Sequence, residues 1–199
     1  MSDLDAQELA AFVFKNRGAL LAAPAAILAA FGKPSAFSVA AGLPLAIAGE
    51  LVRCWAVGYS GVTTRGSAVE APKLVTAGPY AFVRNPLYVG NFLTAAGFAI
   101  AFTGRNSGAQ RLALVAGSLA IMAGVYATIV PHEEEYLRGQ FGEEFERYCE
   151  RVPRVIPQFE PMPDGVGQWN AGVIADAESK TFVTFGAMLA VLALKSLKA

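Results

Sequence analysis

Leu112 to Val130 reads LALVAGSLAIMAGVYATIV and is followed at once by Pro131-His132-Glu133-Glu134-Glu135. The first part carries no charge, and about 20 apolar residues in a helix cross the hydrocarbon layer of a bilayer. The run therefore reads as a membrane span, and the acids after Pro131 mark the return to water. Working outward, the same alternation recurs. Ala19–Phe31, Ala36–Tyr59, Leu87–Phe102 and Phe182–Leu194 are apolar, and Glu133 to Arg154 is densely charged. Of 199 residues 54% are hydrophobic and only 16% charged, against about 25% charged in soluble domains. Mean hydropathy is +0.42. The expected fold is all-α: a multi-pass transmembrane helix bundle of about four or five spans.

The boundaries follow from local chemistry. Leu9–Phe14 ends at Lys15-Asn16-Arg17, which predicts an amphipathic helix with its cations at the headgroups. Gly32-Lys33-Pro34 breaks the chain, making Ala19–Phe31 and Ala36–Tyr59 a helical hairpin. Pro131 is expected to close the Leu112–Val130 helix. Beyond it, Leu137, Phe141, Phe145 and Tyr148 repeat at four, four and three, one stripe of an amphipathic helix. Val152–Pro157 is expected to be extended, because each proline biases its predecessor away from helix. Pro161–Gly165 reads as a linker. Phe182–Leu194 is short for a span, and the sequence allows either a final crossing or a helix on the surface. The acidic start (Asp3, Asp5, Glu8) predicts no cleavable signal peptide.

Lys and Arg set the orientation. With the amino terminus inside, the inner side receives Lys15, Arg17, Arg65, Lys73, Arg84, Arg138, Arg147, Arg151, Arg154 and Lys180. The outer side receives Lys33, Arg105 and Arg111, with Lys195 and Lys198 if the last segment spans. The polar connection Gly61–Val83 and the charged block Glu133–Pro157 then share the cytoplasmic side of a multi-pass membrane protein. Net charge is zero, so nothing points to nucleic acid. Cys54 and Cys149 fall in unlike environments and predict no disulfide, and no metal site is read.

Several polar groups sit where lipid makes them costly. Glu50 and Arg53 are three apart on one helix face, where they can pair; a structural ion pair is the simpler reading, a polar cavity the other. Tyr80, Arg84, Asn85 and Tyr88 crowd the Gly78-Pro79-Tyr80 and Asn85-Pro86 turns. An interfacial belt explains the residue types but not the framing by glycine and proline. Pro86 frees backbone groups that can face a ligand, and Gly90 would let one approach. Glu133-Glu134-Glu135 suits a solvated helix start, or supplies a carboxylate to a cationic ligand. His132, the only histidine, reads as an interfacial residue before it reads as a base.

Taken in order, these segments resemble the superfamily of isoprenylcysteine carboxyl methyltransferases and phospholipid methyltransferases. The resemblance rests on Leu74-Val75-Thr76, Gly78 to Tyr80, Arg84 to Gly90, Glu133-Glu134 with Leu137, Phe141-Gly142, Tyr148 and Arg151-Val152-Pro153. It runs from about Thr64 to Pro157. Two positions depart from the isoprenylcysteine enzymes: Asn85 stands where they have His, and Ile129 where they have an Arg directed at the acceptor carboxylate.

The resemblance implies S-adenosyl-L-methionine as methyl donor, with contacts at Arg65, Pro72, Lys73, Leu74, Val75, Tyr80, Asn85, Pro86, Leu87, Tyr88 and Glu133. It implies Arg84, Glu134 and Arg151 as the charged residues of the transfer site. The acceptor would be lipidic or a small amphiphile drawn from the bilayer. On this reading the chain is one domain. Residues 1–60 hold the amphipathic helix and hairpin, 61–160 the catalytic core with its cofactor-binding segment, and 161–199 the linker and last apolar helix. The rivals are a membrane reductase of sterol or isoprenoid double bonds using NADPH, and a membrane protein without enzymatic activity.

Overall fold

The computed structural model describes residues 3–61 and 71–198, with side chains except those of residues 3–7 and 10. The described residues form six helices: α1 (Asp3–Phe31), α2 (Ala36–Ser60), α3 (Pro86–Phe102), α4 (Gly108–Phe141), α5 (Glu143–Arg151) and α6 (Ile174–Leu197). Short 3-10 turns stand at Gly78–Ala81 and Ala171–Val173, and no strand occurs among the described residues. Four helical stretches are long and apolar enough to cross a bilayer: Ala11–Phe31, Ala36–Ser60, Gly108–Phe141 and Ala171–Leu197. The 17 residues of α3 reach the lower bound for a span, about 17. Only 11% of the most apolar window of the last stretch, and 33% of those of α2 and α4, is buried by protein. The remaining apolar surface is what lipid covers, and the fold is a multi-pass helical membrane bundle.

Three boundaries differ from the sequence expectation. The predicted interfacial helix and first span are one helix, α1. Asn16 does not interrupt it, because its Nδ2 donates back to Phe12 O at 2.8 Å, and Lys and Arg are good helix formers. Pro131 does not close α4, which continues to Phe141. A proline costs one backbone bond, and membrane helices tolerate that where neighbours satisfy the freed groups. The break falls instead at Gly142, whose positive φ of +51° is one that glycine adopts readily and other residues rarely do. No atom lies within 4 Å of a Cβ built there, so backbone conformation rather than crowding calls for glycine. The third difference is α6, which begins at Ile174, well before Phe182.

The chain packs as two compact units, each assembled from separate stretches. One unit comprises Arg17–Leu51, Gly90–Val125 and Lys180–Ala199. Its core gathers Leu28, Ala46, Phe98, Ala99, Phe102, Met188 and Leu192. Here α2 and α3 approach backbone to backbone: a Cβ on Gly42 would lie 2.3 Å from Gly97 O, and one on Gly97 2.3 Å from Ala46 N. Small residues at such crossings replace the hydrophobic driving force that lipid removes. The turns of this unit are tied together, with Asn106 donating to Phe31 O and Lys195 Nζ to the carbonyls of Ala30 and Gly32. Those bonds satisfy carbonyls that the end of α1 leaves open. Gly97→Leu is therefore expected to destabilise the chain by about 1–3 kcal/mol through overpacking. Gly117→Leu, where a Cβ meets nothing within 4 Å, serves as the near-neutral control. Thermal unfolding in detergent reads both, and equal effects would refute the close crossing.

The other unit comprises Met1–Asn16, Val52–Val89 and Tyr126–Ser179. Its core is Leu74, Phe145, Tyr148 and Val152, with Leu137, Phe141 and Met162 packed against it. The amphipathic stripe seen in the sequence thus buries as expected, although two helices rather than one carry it.

Candidate active site

The second unit holds nearly all the candidate residues, and their geometry starts from the turn at Gly78. Gly78 has φ +61°, and a Cβ there would lie 2.2 Å from the ring of Tyr59. Both facts require glycine. Pro79 opens the 3-10 turn, Tyr80 N and Phe82 N close on Ala77 O and Pro79 O, and the chain then reaches Arg84-Asn85 and the start of α3. Pro86 takes the first helical position, where its missing donor costs nothing. Tyr88 N and Val89 N donate to Asn85 O at 3.1 and 3.2 Å.

The turn is locked to the segment after α5. Arg84 N donates to Pro153 O at 2.8 Å, and Asn85 Nδ2 to Arg154 O at 3.0 Å. The Arg84 guanidinium reaches Val152 O at 2.6 Å and Cys149 O at 3.1 Å, carbonyls that the end of α5 leaves open. Its Nε donates to Glu134 Oε1 at 3.0 Å. Arg154 holds the same carboxylate, with Nη2 to Oε2 at 2.5 Å. Glu134 is thus buried between two guanidinium groups, which satisfies a charge otherwise expensive to bury.

Glu133 points elsewhere. Successive residues of a helix are turned by about 100°, so while Glu134 meets the arginines, Glu133 meets Tyr88. Tyr88 OH donates to Glu133 Oε1 at 2.7 Å, and the Tyr88 ring stacks on Tyr126 with centroids 4.3 Å apart. Tyr126 and Glu133 are seven apart on α4, two turns on one face, and so hold Tyr88 together. Behind them, Tyr148 OH donates to Tyr80 O at 2.7 Å. Burial pushes the Tyr80 phenol up to about 12, with the Ser60 hydroxyl pulling the other way and the Glu133 charge adding to the rise. Tyr80 accordingly stays neutral at physiological pH.

The sequence pattern of the phospholipid methyltransferase family matches residues 37–144, more than half of the chain. The chain belongs to this family. The match covers α2, the Gly78 turn, α3 and α4, and so includes Tyr80, Arg84, Asn85, Tyr88, Glu133 and Glu134. Among relatives, Protein-S-isoprenylcysteine O-methyltransferase B of Arabidopsis thaliana is 28% identical over 120 residues, 58% of this chain and 57% of that one. A probable protein-S-isoprenylcysteine O-methyltransferase of Oryza sativa subsp. indica is 31% identical over 123 residues, 60% and 61% of the two chains. The nickel-cobalt-cadmium resistance protein NccN of Alcaligenes xylosoxydans xylosoxydans is 30% identical over 92 residues, 46% and 39%. The chain thus spans about three fifths of the length of the first of these relatives. No solved structure matches it.

The other residues singled out in the family motifs are placed as follows. Leu74 is buried in the core beside Phe145 and Tyr148, which commits its side chain to packing. Pro72 and Lys73 are exposed, Val75 and Leu87 partly buried, and Pro86 buried. Arg65 lies outside the described residues. Arg151 stands exposed in the last turn of α5, and Arg154, not Arg151, reaches Glu134. The role of Arg154 was missed in the sequence, although it closes the same Arg-Val-Pro-Arg stretch. The carbonyl of Gly90 lies against Gly49, so that backbone serves helix packing. His132 sets its ring edge-on to Phe14, centroids 6.3 Å apart. Arg53 is held by Glu178, both carboxylate oxygens at 2.8 Å from its Nη2.

Proposed function

We propose that the chain transfers a methyl group from S-adenosylmethionine to a lipidic or small amphiphilic acceptor at the cytoplasmic face of the membrane it spans. The observation that carries this reading is the half-buried Glu133 carboxylate, oriented by Tyr88 beside the aromatic faces of Tyr88 and Tyr126. A carboxylate so fixed suits a cationic donor, and aromatic walls suit an adenine ring. Bound there, the donor would supply a methyl on a sulfonium, transferred by in-line displacement with a neutral thioether leaving. The family to which the chain belongs, and the methyltransferases among its relatives, support the same chemistry.

The residues of the chain then divide the work. Glu133, Tyr88, Tyr80 and Asn85 bind and orient the donor, together with Arg65 and the Pro72–Val75 and Pro86–Leu87 segments. Arg84, Glu134 and Arg154 fix the segments that carry them, leaving the exposed Arg151 available to the acceptor. Such a site accelerates transfer chiefly by alignment and exclusion of water. Residues 61–160 form the catalytic core on this reading. The acceptor of the isoprenylcysteine enzymes does not carry over, because fully buried Ile129 stands where the resemblance expects their arginine.

Titration calorimetry in detergent tests the donor. S-adenosylmethionine is expected to bind, S-adenosylhomocysteine to compete, and NADPH to give no heat. If neither sulfur compound binds folded protein at millimolar concentration, the methyltransferase reading falls; heat from NADPH alone would favour a reductase.

A further inference from the structure

Residues 155–169 leave the charged site and return to α6 with a row of apolar side chains on the surface. Phe159 is fully exposed and Ile156 is 80% exposed. Val155, Val166 and Trp169 are each about half exposed. The stretch carries no Lys or Arg, and its two acids, Glu160 and Asp164, are exposed. In a soluble protein such a row would be a liability. Here its position in the fold says what covers it.

Both ends of the stretch are fastened at the ends of apolar helices. At the near end, Pro153 O and Arg154 O accept from Arg84 N and Asn85 Nδ2, immediately before α3 begins at Pro86. At the far end, Asn170 N donates to Gly58 O at 2.8 Å. Trp169 packs so closely over Gly58 that a Cβ there would lie 2.1 Å from its Nε1. Gly58 belongs to the last turn of the candidate span Ala36–Ser60, and Ala171 opens the last of the four. A segment pinned at both ends beside the ends of apolar helices is placed to run along the boundary between hydrocarbon and water.

Part of its backbone is satisfied within the protein. Gln158 N, Met162 N and Val166 N donate inward, to Phe82 O, Ala81 O and Thr76 Oγ1. Pro157, Pro161 and Pro163 have no donor to leave unsatisfied. Polar backbone groups left bare are what usually keep a loop out of lipid, and Trp is enriched where bilayer meets water.

We infer that residues 155–169 form a strap whose exposed apolar side chains, from Ile156 through Phe159 to Trp169, seat in the interfacial layer of the phospholipid bilayer that the helices span. With no basic residue in the strap, the seating is hydrophobic and does not require anionic lipid. It also sets the rim of the charged site level with the headgroups. The inference rests on the membrane fold and stands whether or not the donor binds.

Tryptophan fluorescence in proteoliposomes tests it. The chain has two tryptophans, so Trp55→Phe leaves Trp169 as the only reporter. In phosphatidylcholine vesicles its emission is expected to be blue-shifted and shielded from aqueous acrylamide. Lipids brominated near the glycerol end of the chains should quench it more strongly than lipids brominated near the chain terminus. Should Trp55→Phe fold poorly, the difference between the unsubstituted chain and Trp169→Phe gives the same quantity. Emission that acrylamide quenches and brominated lipid does not would place the strap in water and overturn the inference. Stronger quenching from the chain terminus would place it in the hydrocarbon core and overturn it as well.

Discussion

Glu178→Ala is expected to cost the protein about 3–5 kcal/mol of stability, the usual loss when one partner of a buried ion pair is removed. The Glu178 side chain is fully buried and that of Arg53 8% exposed. Both carboxylate oxygens lie 2.8 Å from Arg53 Nη2. Truncating Glu178 leaves a buried guanidinium without this bidentate partner, in a segment where a charge is expensive. The double replacement Arg53→Met with Glu178→Met removes both charges and keeps apolar volume, so it should recover most of the loss. Unfolding of the three proteins in one detergent decides the matter. A single variant no less stable than the double one would mean that the pair is solvated and not structural.

That pair also marks where the sequence stopped being informative. Glu50 and Arg53 are three apart, and local spacing places them on one helix face. It does not show that Glu178, 125 residues away, holds Arg53 with both oxygens, a contact beyond the reach of helical periodicity. The same limit applied at the charged site. Tyr88, Glu133 and Glu134 were legible because proline framing and helical spacing are local properties. Arg154 was not, because its contact with Glu134 depends on an extended turn after α5 that brings residues 20 apart together. Hydropathy located the spans well, since lipid imposes a length on every crossing helix. It misjudged helix ends, because Asn16 can bond back into its own helix and Pro131 can be carried within one. Gly142, where α4 does end, needed a backbone angle that composition does not display. The strap read as a linker for a related reason: its prolines suggest extended chain, and only its contacts with Ala81, Thr76 and Gly58 reveal what it is fastened to.

Glu133→Gln is expected to weaken binding of S-adenosylmethionine about tenfold to a hundredfold. A hydrogen bond to a charged group contributes roughly 1.5–3 kcal/mol, and about 1.4 kcal/mol is one decade of affinity. The substitution is a clean one here, because the glutamine carbonyl can still accept the bond from Tyr88 OH that Glu133 Oε1 now accepts at 2.7 Å. Orientation of the side chain and its stacked Tyr88–Tyr126 support are kept while the charge is lost. Glu135→Gln is the control: Glu135 is exposed, lies on another face of α4, and carries the same charge at nearly the same place in the chain. If the three acids serve only to solvate this stretch, both variants should shift donor affinity equally and slightly. Calorimetric titration of both, with melting curves to show that each is folded, separates the two accounts. A loss confined to Glu133→Gln ties the donor to the carboxylate that Tyr88 holds; equal small losses would remove Glu133 from the site.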